Sequence, residues 1–235
     1  MKPSVKRAST GVAAISLLCA LTVANAASTG SIKGVVVDEA GNPVNLASVL
    51  ARDIEPTPSG VVEVQIGKVP WVETDKEGRF VIRGLTPGRR YKMYTMKEED
   101  GYADTTIPTY NPTDDAPVVI ASAAPRSSPD VRLQLGPKAV TLGFDLKDAV
   151  TGKTIRDYTI TVTRMDTNYW FGGSVADNKV LLPADTDMVI KFEVKGYKPW
   201  YYQGQTTMAA ATPLRGSSGE VRHISVLLDP ESAAP

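Results

Sequence analysis

An all-β chain of two tandem seven-stranded β-sandwiches is what this sequence predicts, and three observations predict it. Apolar and polar residues alternate with a period of two in run after run, and no stretch after residue 26 sustains a 3.6-residue apolar period. Gly, Pro, Asn and Asp break these runs at spacings suited to short strands. The same order of strands and turns occurs twice, over residues 32–135 and again over 140–228. In the first copy Ile32-Lys33-Gly34-Val35-Val36-Val37-Asp38 meets a Gly41-Asn42-Pro43 turn. In the second, Leu142-Gly143-Phe144-Asp145-Leu146-Lys147-Asp148 meets Thr151-Gly152-Lys153, and later Gly101-Tyr102 is answered by Gly196-Tyr197.

The chain opens with Lys2, Lys6 and Arg7, an apolar run over residues 12–23, and Ala24-Asn25-Ala26, small at the two positions a signal peptidase reads. Residues 1–26 are therefore expected to be a signal peptide, cleaved before Ala27; the run is shorter than the roughly 20 residues that span a bilayer. Cys19, the only cysteine, follows Leu17-Leu18 where a lipid-attachment signal has a small residue, so it is expected to leave with the leader. The remaining 209 residues would then form no disulfide, thiol nucleophile or Cys-ligated metal site. They carry 23 basic against 26 acidic residues, which offers no basic field to nucleic acid and no polybasic patch to an anionic membrane. The expected location is the periplasm or the cell exterior, with no integral membrane span after cleavage.

Residues 32–37 read as the first strand, ended by Gly41-Asn42-Pro43, because proline has no N–H for a ladder and glycine accepts positive φ. Residues 46–52 form the second strand, Pro56-Thr57-Pro58-Ser59-Gly60 a loop, and 61–66 with 69–74 a strand pair. Asp75-Lys76-Glu77-Gly78 is a tight turn into Arg79-Phe80-Val81-Ile82, and Thr86-Pro87-Gly88 another into residues 91–96. Residues 121–129, rich in Ala, Ser and Pro, are loop composition before a closing strand at 131–135. Gly136-Pro137 then divides a first domain, 27–136, from a second, 137–235. In the second, strands are expected at 142–148, 158–162, 179–183, 188–194 and 221–228, with a frayed tail after Asp229.

Ile32-x-Gly34-x-Val36-x-Asp38-x-x-Gly41-x-Pro43, followed by Thr74-Asp75-x-x-Gly78-x-Phe80-x-Ile82-x-Gly84-Leu85-x-Pro87-Gly88-x-x-Tyr91, resembles the carboxypeptidase regulatory-like family. The resemblance implies a transthyretin-like, or prealbumin-like, Ig-like sandwich of seven strands, common in exported bacterial proteins. The second copy resembles it less: Asp148, Gly152, Gly196 and Tyr197 match, but Asp177-Asn178-Lys179-Val180 stands in place of the Asp-x-x-Gly-x-Phe hairpin. In metallocarboxypeptidases such a domain holds no zinc ligand; elsewhere it serves as a stalk, an adhesion module or a carbohydrate-binding-like domain.

No cofactor, metal site or catalytic residue is expected. The single His223 shares a strand face with Val221 and Ser225, opposite Ile224, Val226 and Leu228, which places it on the surface. Acidic pairs such as Asp114-Asp115 lack the spacing of a calcium loop. Trp71 is expected to be core or edge cover. The candidate ligand-binding residues are Tyr169, Trp170 and Phe171 together with Trp200, Tyr201 and Tyr202, because flat rings beside Asp166, Asn168 and Gln203 suit a sugar-binding platform. The competing reading makes Trp200-Tyr201-Tyr202 a structural corner, the counterpart of Pro108-Thr109-Tyr110 in the first copy. The expected partner is accordingly a glycan or other envelope component, or, in the alternative, an envelope protein docked by a structural spacer.

Overall fold

The computed structural model describes residues 29–56, 62–65, 71–123, 130–173 and 175–231. The expected leader with Cys19, the loop at 57–60, most of the loop at 121–129 and the last four residues lie outside the described residues. Among the described residues every long element is a strand, and the remaining elements are short 3-10 turns. Among the described residues no helix is long and apolar enough to cross a membrane.

In the first half, β1 (Gly30–Val37), β5 (Arg79–Leu85) and β8 (Asp130–Gln134) form one sheet in the order β5-β1-β8. The other sheet runs β3-β2-β6-β7, from β2 (Ser48–Pro56), β3 (Val62–Gln65), β6 (Arg90–Met96) and β7 (Val118–Ile120), with β4 (Val72–Glu73) also paired to β2. The second half repeats this: β12 (Lys179–Leu182), β9 (Val140–Asp148) and β15 (Val221–Leu228) in the order β12-β9-β15. Opposite lie β11 (Trp170–Gly173), β10 (Thr159–Arg164), β13 (Met188–Glu193) and β14 (Trp200–Tyr201), in the order β11-β10-β13-β14. In each half the first strand pairs in parallel with the last, β1 with β8 and β9 with β15, while the other ladders are antiparallel.

Each pair of sheets closes on its own core. Ile32, Val36, Val49, Phe80, Ile82, Met93 and Leu133 fill the first. Leu142, Phe144, Leu146, Ile160, Ile190, Phe192 and Val226 fill the second, where Phe144 and Phe192 meet edge-on with centroids 4.8 Å apart. These are the inward positions of the period-two runs, so alternation in sequence becomes the two faces of each sheet. Gly34 is required where β1 is crowded by β8: a Cβ there would lie 2.0 Å from the Val131 carbonyl oxygen and 2.9 Å from the Phe80 ring.

The turn at Asp75 forms as expected. The Asp75 Oδ1 accepts from the N–H groups of Glu77 (3.0 Å) and Arg79 (2.8 Å), and Gly78 takes φ 72°. Where that motif is replaced in the second half, Asp177 and Asn178 adopt the left-handed backbone themselves, at φ 57° and 47°.

Three expectations are revised. The second strand begins at Ser48 and not at 46, because Leu46 sits at φ 56° with its N–H donating to the Thr74 carbonyl, a conformation that cannot continue a strand. Eight strands are described in the first half: β7 adds to the seven expected, and β3 and β4, expected to pair with each other, instead follow one another along the same side of β2, pairing with residues 53–56 and 48–49. Trp71, beside the two-residue β4, is 41% exposed and so is not a core residue, while its neighbour Val72 packs on the core.

Candidate binding surfaces

The hairpin between β10 and β11 is closed by Arg164, which accepts from Asn168 N–H (2.9 Å) and donates from its own N–H to Tyr169 O (2.8 Å), with Asn168 at φ 58°. Register then sorts the aromatic residues that follow. Phe171 lies opposite the fully buried Val162 and turns inward, while Trp170 lies opposite Thr163 and turns outward. Trp170 is accordingly 66% exposed and Tyr169 43%. At the far edge of the same sheet, Trp200 lies opposite core residue Phe192, with ring centroids 5.7 Å apart, and Tyr202 also packs against that core. Tyr201 lies opposite Lys191, whose Nζ is 5.8 Å from its ring. Two strands separate β11 from β14, so the two groups stand about 14 Å apart across the sheet. The six rings do not form one continuous platform; only Tyr169 and Trp170 present large exposed surfaces.

The contact between the halves uses residues that sequence reasoning did not assign to it. Tyr110 OH donates to the Leu181 carbonyl at 2.8 Å, and its ring meets Phe171 at 5.5 Å. Arg164 Nη1 donates to the Thr109 carbonyl at 3.0 Å, while Nε and Nη2 of the same guanidinium grip both oxygens of Asp166, at 2.6 and 3.0 Å. Ala139 N–H donates to the Gly101 carbonyl at 2.8 Å, and Lys138 Nζ stands 5.4 Å from the Tyr102 ring. Around these bonds lies a cavity of about 250 Å³ lined from both halves, by Tyr102, Thr105, Tyr110, Arg164 and Pro183 among others. Burial pushes the Tyr110 phenol well above the usual tyrosine value, so it remains a donor throughout the ordinary pH range. The Pro108-Thr109-Tyr110 corner was the available sequence signal, but nothing local points from it to Leu181.

The titratable groups outside this junction serve to tie loops to sheets. Tyr94, buried, donates to Asp114 Oδ1 at 2.9 Å, and desolvation, reinforced by that carboxylate, raises its phenol to about 12. Lys92 also pairs with Asp114, and Arg52 sits 5.0 Å from the Tyr94 ring. Asp148 accepts from Thr151 N–H (2.6 Å), Val150 N–H (2.9 Å) and Tyr197 OH (2.7 Å). These bonds, that from Thr151 foremost, hold its carboxyl at about 2. His223 occupies the outward face of β15 as expected, its Nε2 2.9 Å from Asp145 Oδ2, with both side chains more than half exposed. Among the described residues no three His, Cys, Asp or Glu side chains converge as a metal site.

No family model matches the chain, and no curated protein does. Solved structures align with it. The Bacillus anthracis TIE protein is 14% identical over 86% of this chain and 34% of its own length, with a TM-score of 0.32. Shaft pilin SpaA from Lactobacillus rhamnosus GG is 12% identical over 88% of this chain and 100% of its own, with a TM-score of 0.33. A streptococcal ancillary pilin is 16% identical over 88% and 64%, with a TM-score of 0.38. The chain spans about a third of the TIE protein's length. With TM-scores below one half, neither a domain arrangement nor a function carries over from these proteins.

Proposed function

We propose that the chain is an exported, non-catalytic module of the cell envelope, in which two prealbumin-like sandwich domains, 27–136 and 137–235, act as one rigid body that spaces and docks other envelope proteins. The observation that carries this reading is the junction. Three hydrogen bonds and a ring contact join elements on either side of the Gly136-Pro137 link, and Arg164 is itself braced by Asp166. A linker this short, with polar and apolar contacts on both sides of it, removes the reorientation that two tandem domains otherwise retain. Export rests on the leader-like residues 1–26, and the absence of catalysis on a single histidine whose neighbour is a solvated carboxylate. A protein partner is favoured over a six-ring glycan platform because the rings divide between opposite edges of the sheet, and because the exposed Met165, Tyr169 and Trp170 gather at one hairpin.

The test uses the cysteine-free chain beginning at Ala27. Spin labels on Val81→Cys in one half and Val150→Cys in the other should give a single narrow distance distribution by pulsed electron resonance, broadened by joint Tyr110→Ala and Arg164→Ala substitution. A broad distribution in the otherwise unaltered protein would remove the rigid-spacer reading.

A further inference from the structure

Each sheet ends in strands with one unpaired side, and the sequence treats these edges differently. Among the described residues the longest edge strand is β15, eight residues that pair only with β9. At the two ends of this ladder the Glu220 carbonyl accepts from Thr141 N–H at 2.8 Å and the Leu228 carbonyl from Ala149 N–H at 2.9 Å. Residues that bond the neighbouring strand alternate with residues that point away from it. The even-numbered residues of β15 therefore bond β9, while Val221, His223, Ser225 and Leu227 direct their N–H and C=O groups away from the sheet, where they bond to no described residue.

Other edges are guarded. In the first half β8 occupies the same place against β1, but its outward-pointing residues are Asp130, Arg132 and Gln134, all exposed, with Asp130 paired to Lys33 at 3.3 Å. The β5 edge presents Arg79 and Arg83, and on β12 the Leu181 carbonyl is taken by Tyr110. Charge on an edge strand discourages its pairing with another chain. The β15 edge has the opposite character: Val221 is 79% exposed and Leu227 58%, and the ionisable residue of the row, His223, is turned to Asp145 of its own sheet. An open groove of about 450 Å³ lies against Ser225 and Leu227, so the loop over residues 198–206 leaves room beside that end of the strand.

We infer that two copies of this chain pair through β15, antiparallel about a two-fold axis at Ile224, so that two three-stranded sheets become one. A strand that pairs with its own twin must set outward-pointing residues against outward-pointing residues. With Ile224 on the axis, Val221 of one copy faces Leu227 of the other and His223 faces Ser225, and each such pair exchanges two N–H···O bonds. All four outward residues are then satisfied in both copies; a slip of two residues in either direction leaves Val221 or Leu227 without an opposite number in the strand. The same register covers the two exposed apolar side chains with each other at both ends. At its centre Ile224, half-buried beside the core, meets its twin as a non-hydrogen-bonded pair, where strands approach most closely. No like charges face one another. A second copy supplies this matching pattern by symmetry, and the contact closes as a dimer without propagating.

Sedimentation velocity of the chain from Ala27, run from low to high micromolar concentration, should show a monomer giving way to a dimer. Ser225→Pro removes an N–H that bonds nothing within the fold, so it should keep the circular dichroism of the parent and stay monomeric across that range. The register is tested by charge. Val221→Glu and Leu227→Lys should each weaken dimerisation by about tenfold, since each change occurs twice about the axis, and the two together should recover most of the loss by facing carboxylate with ammonium. The inference is independent of the rigid-spacer reading: the junction lies at the β12 edge, opposite β15, so Tyr110→Ala with Arg164→Ala should dimerise as the parent does. A parent that stays monomeric at high micromolar concentration, as it would if the edge served a strand of another protein, overturns the inference. So does a dimer that survives Ser225→Pro, or a double charge variant that dimerises no better than either single one.

Discussion

Replacing Tyr110 with Phe removes one oxygen and leaves the ring, which makes it a clean probe of how firmly the halves are joined. The hydroxyl donates to the Leu181 carbonyl at 2.8 Å, and the ring contact with Phe171 at 5.5 Å survives the change. An acceptor deprived of its donor inside a protein costs about 1–3 kcal/mol. Leu181 is half-buried, so water makes good part of that loss, and the expected destabilisation is about 1–2 kcal/mol. Tyr110→Ala also forfeits the aromatic pair, worth about 0.5–1.5 kcal/mol, and leaves space where the ring stood. Urea unfolding followed by far-UV circular dichroism measures both variants. Tyr110→Phe should lower the midpoint with an unchanged slope; Tyr110→Ala with Arg164→Ala should split the transition in two as the halves unfold independently. A Tyr110→Phe shift within about 0.3 kcal/mol, the usual uncertainty of such differences, would refute the reasoning by showing that the bond adds nothing to the junction.

Gly34→Ala should destabilise the first half by about 3 kcal/mol or more in the same assay, since the new Cβ meets backbone at 2.0 Å and the β1–β8 pairing has to open to receive it. Asp148 supplies stability that is fully present above its unfolded value of 3.8 and lost as pH falls through about 2, since its folded carboxyl is the stronger acid. Asp148→Asn should therefore flatten the acid limb of stability between those values, and an unaltered limb would show that Thr151 and Tyr197 do not hold the carboxylate. Trp170→Ala, at an exposed position, should change unfolding free energy by no more than about 0.5 kcal/mol, measured by thermal denaturation. Expression of the whole chain in a Gram-negative host should give an envelope-located product whose N-terminal sequence begins at Ala27; an intact leader would argue against export.

The core was legible because its signal is local. Ile32 stands between Ser31 and Lys33, and Phe80 and Ile82 lie two apart with Arg79 and Arg83 outside them, and strand geometry turns that spacing directly into an inner face. The Asp75 turn was legible for the same reason, its side-chain bonds reaching only as far as Arg79. Leu46 was not: an apolar residue beside Ala47 and Val49 looks like strand, and its left-handed backbone is imposed by Thr74, distant in the chain. The candidate site followed the same division. That Tyr169, Trp170 and Phe171 lie together is visible in sequence, but which ring faces water depends on register against Val162 and Thr163. Likewise Trp200 is held back because Phe192 lies opposite it on β13. The junction pairs Tyr110 with Leu181 across 71 residues, and no period or turn motif encodes a contact of that kind.

The most direct test of the rigid two-domain account is backbone 15N relaxation of the unsubstituted chain from Ala27. The account predicts that amides of β1, β2, β5 and β6 and those of β9, β10, β13 and β15 fit a single rotational diffusion tensor. Separate, shorter correlation times for the two sets would contradict it, since the Tyr110, Arg164 and Ala139 contacts would then not hold the halves together in solution.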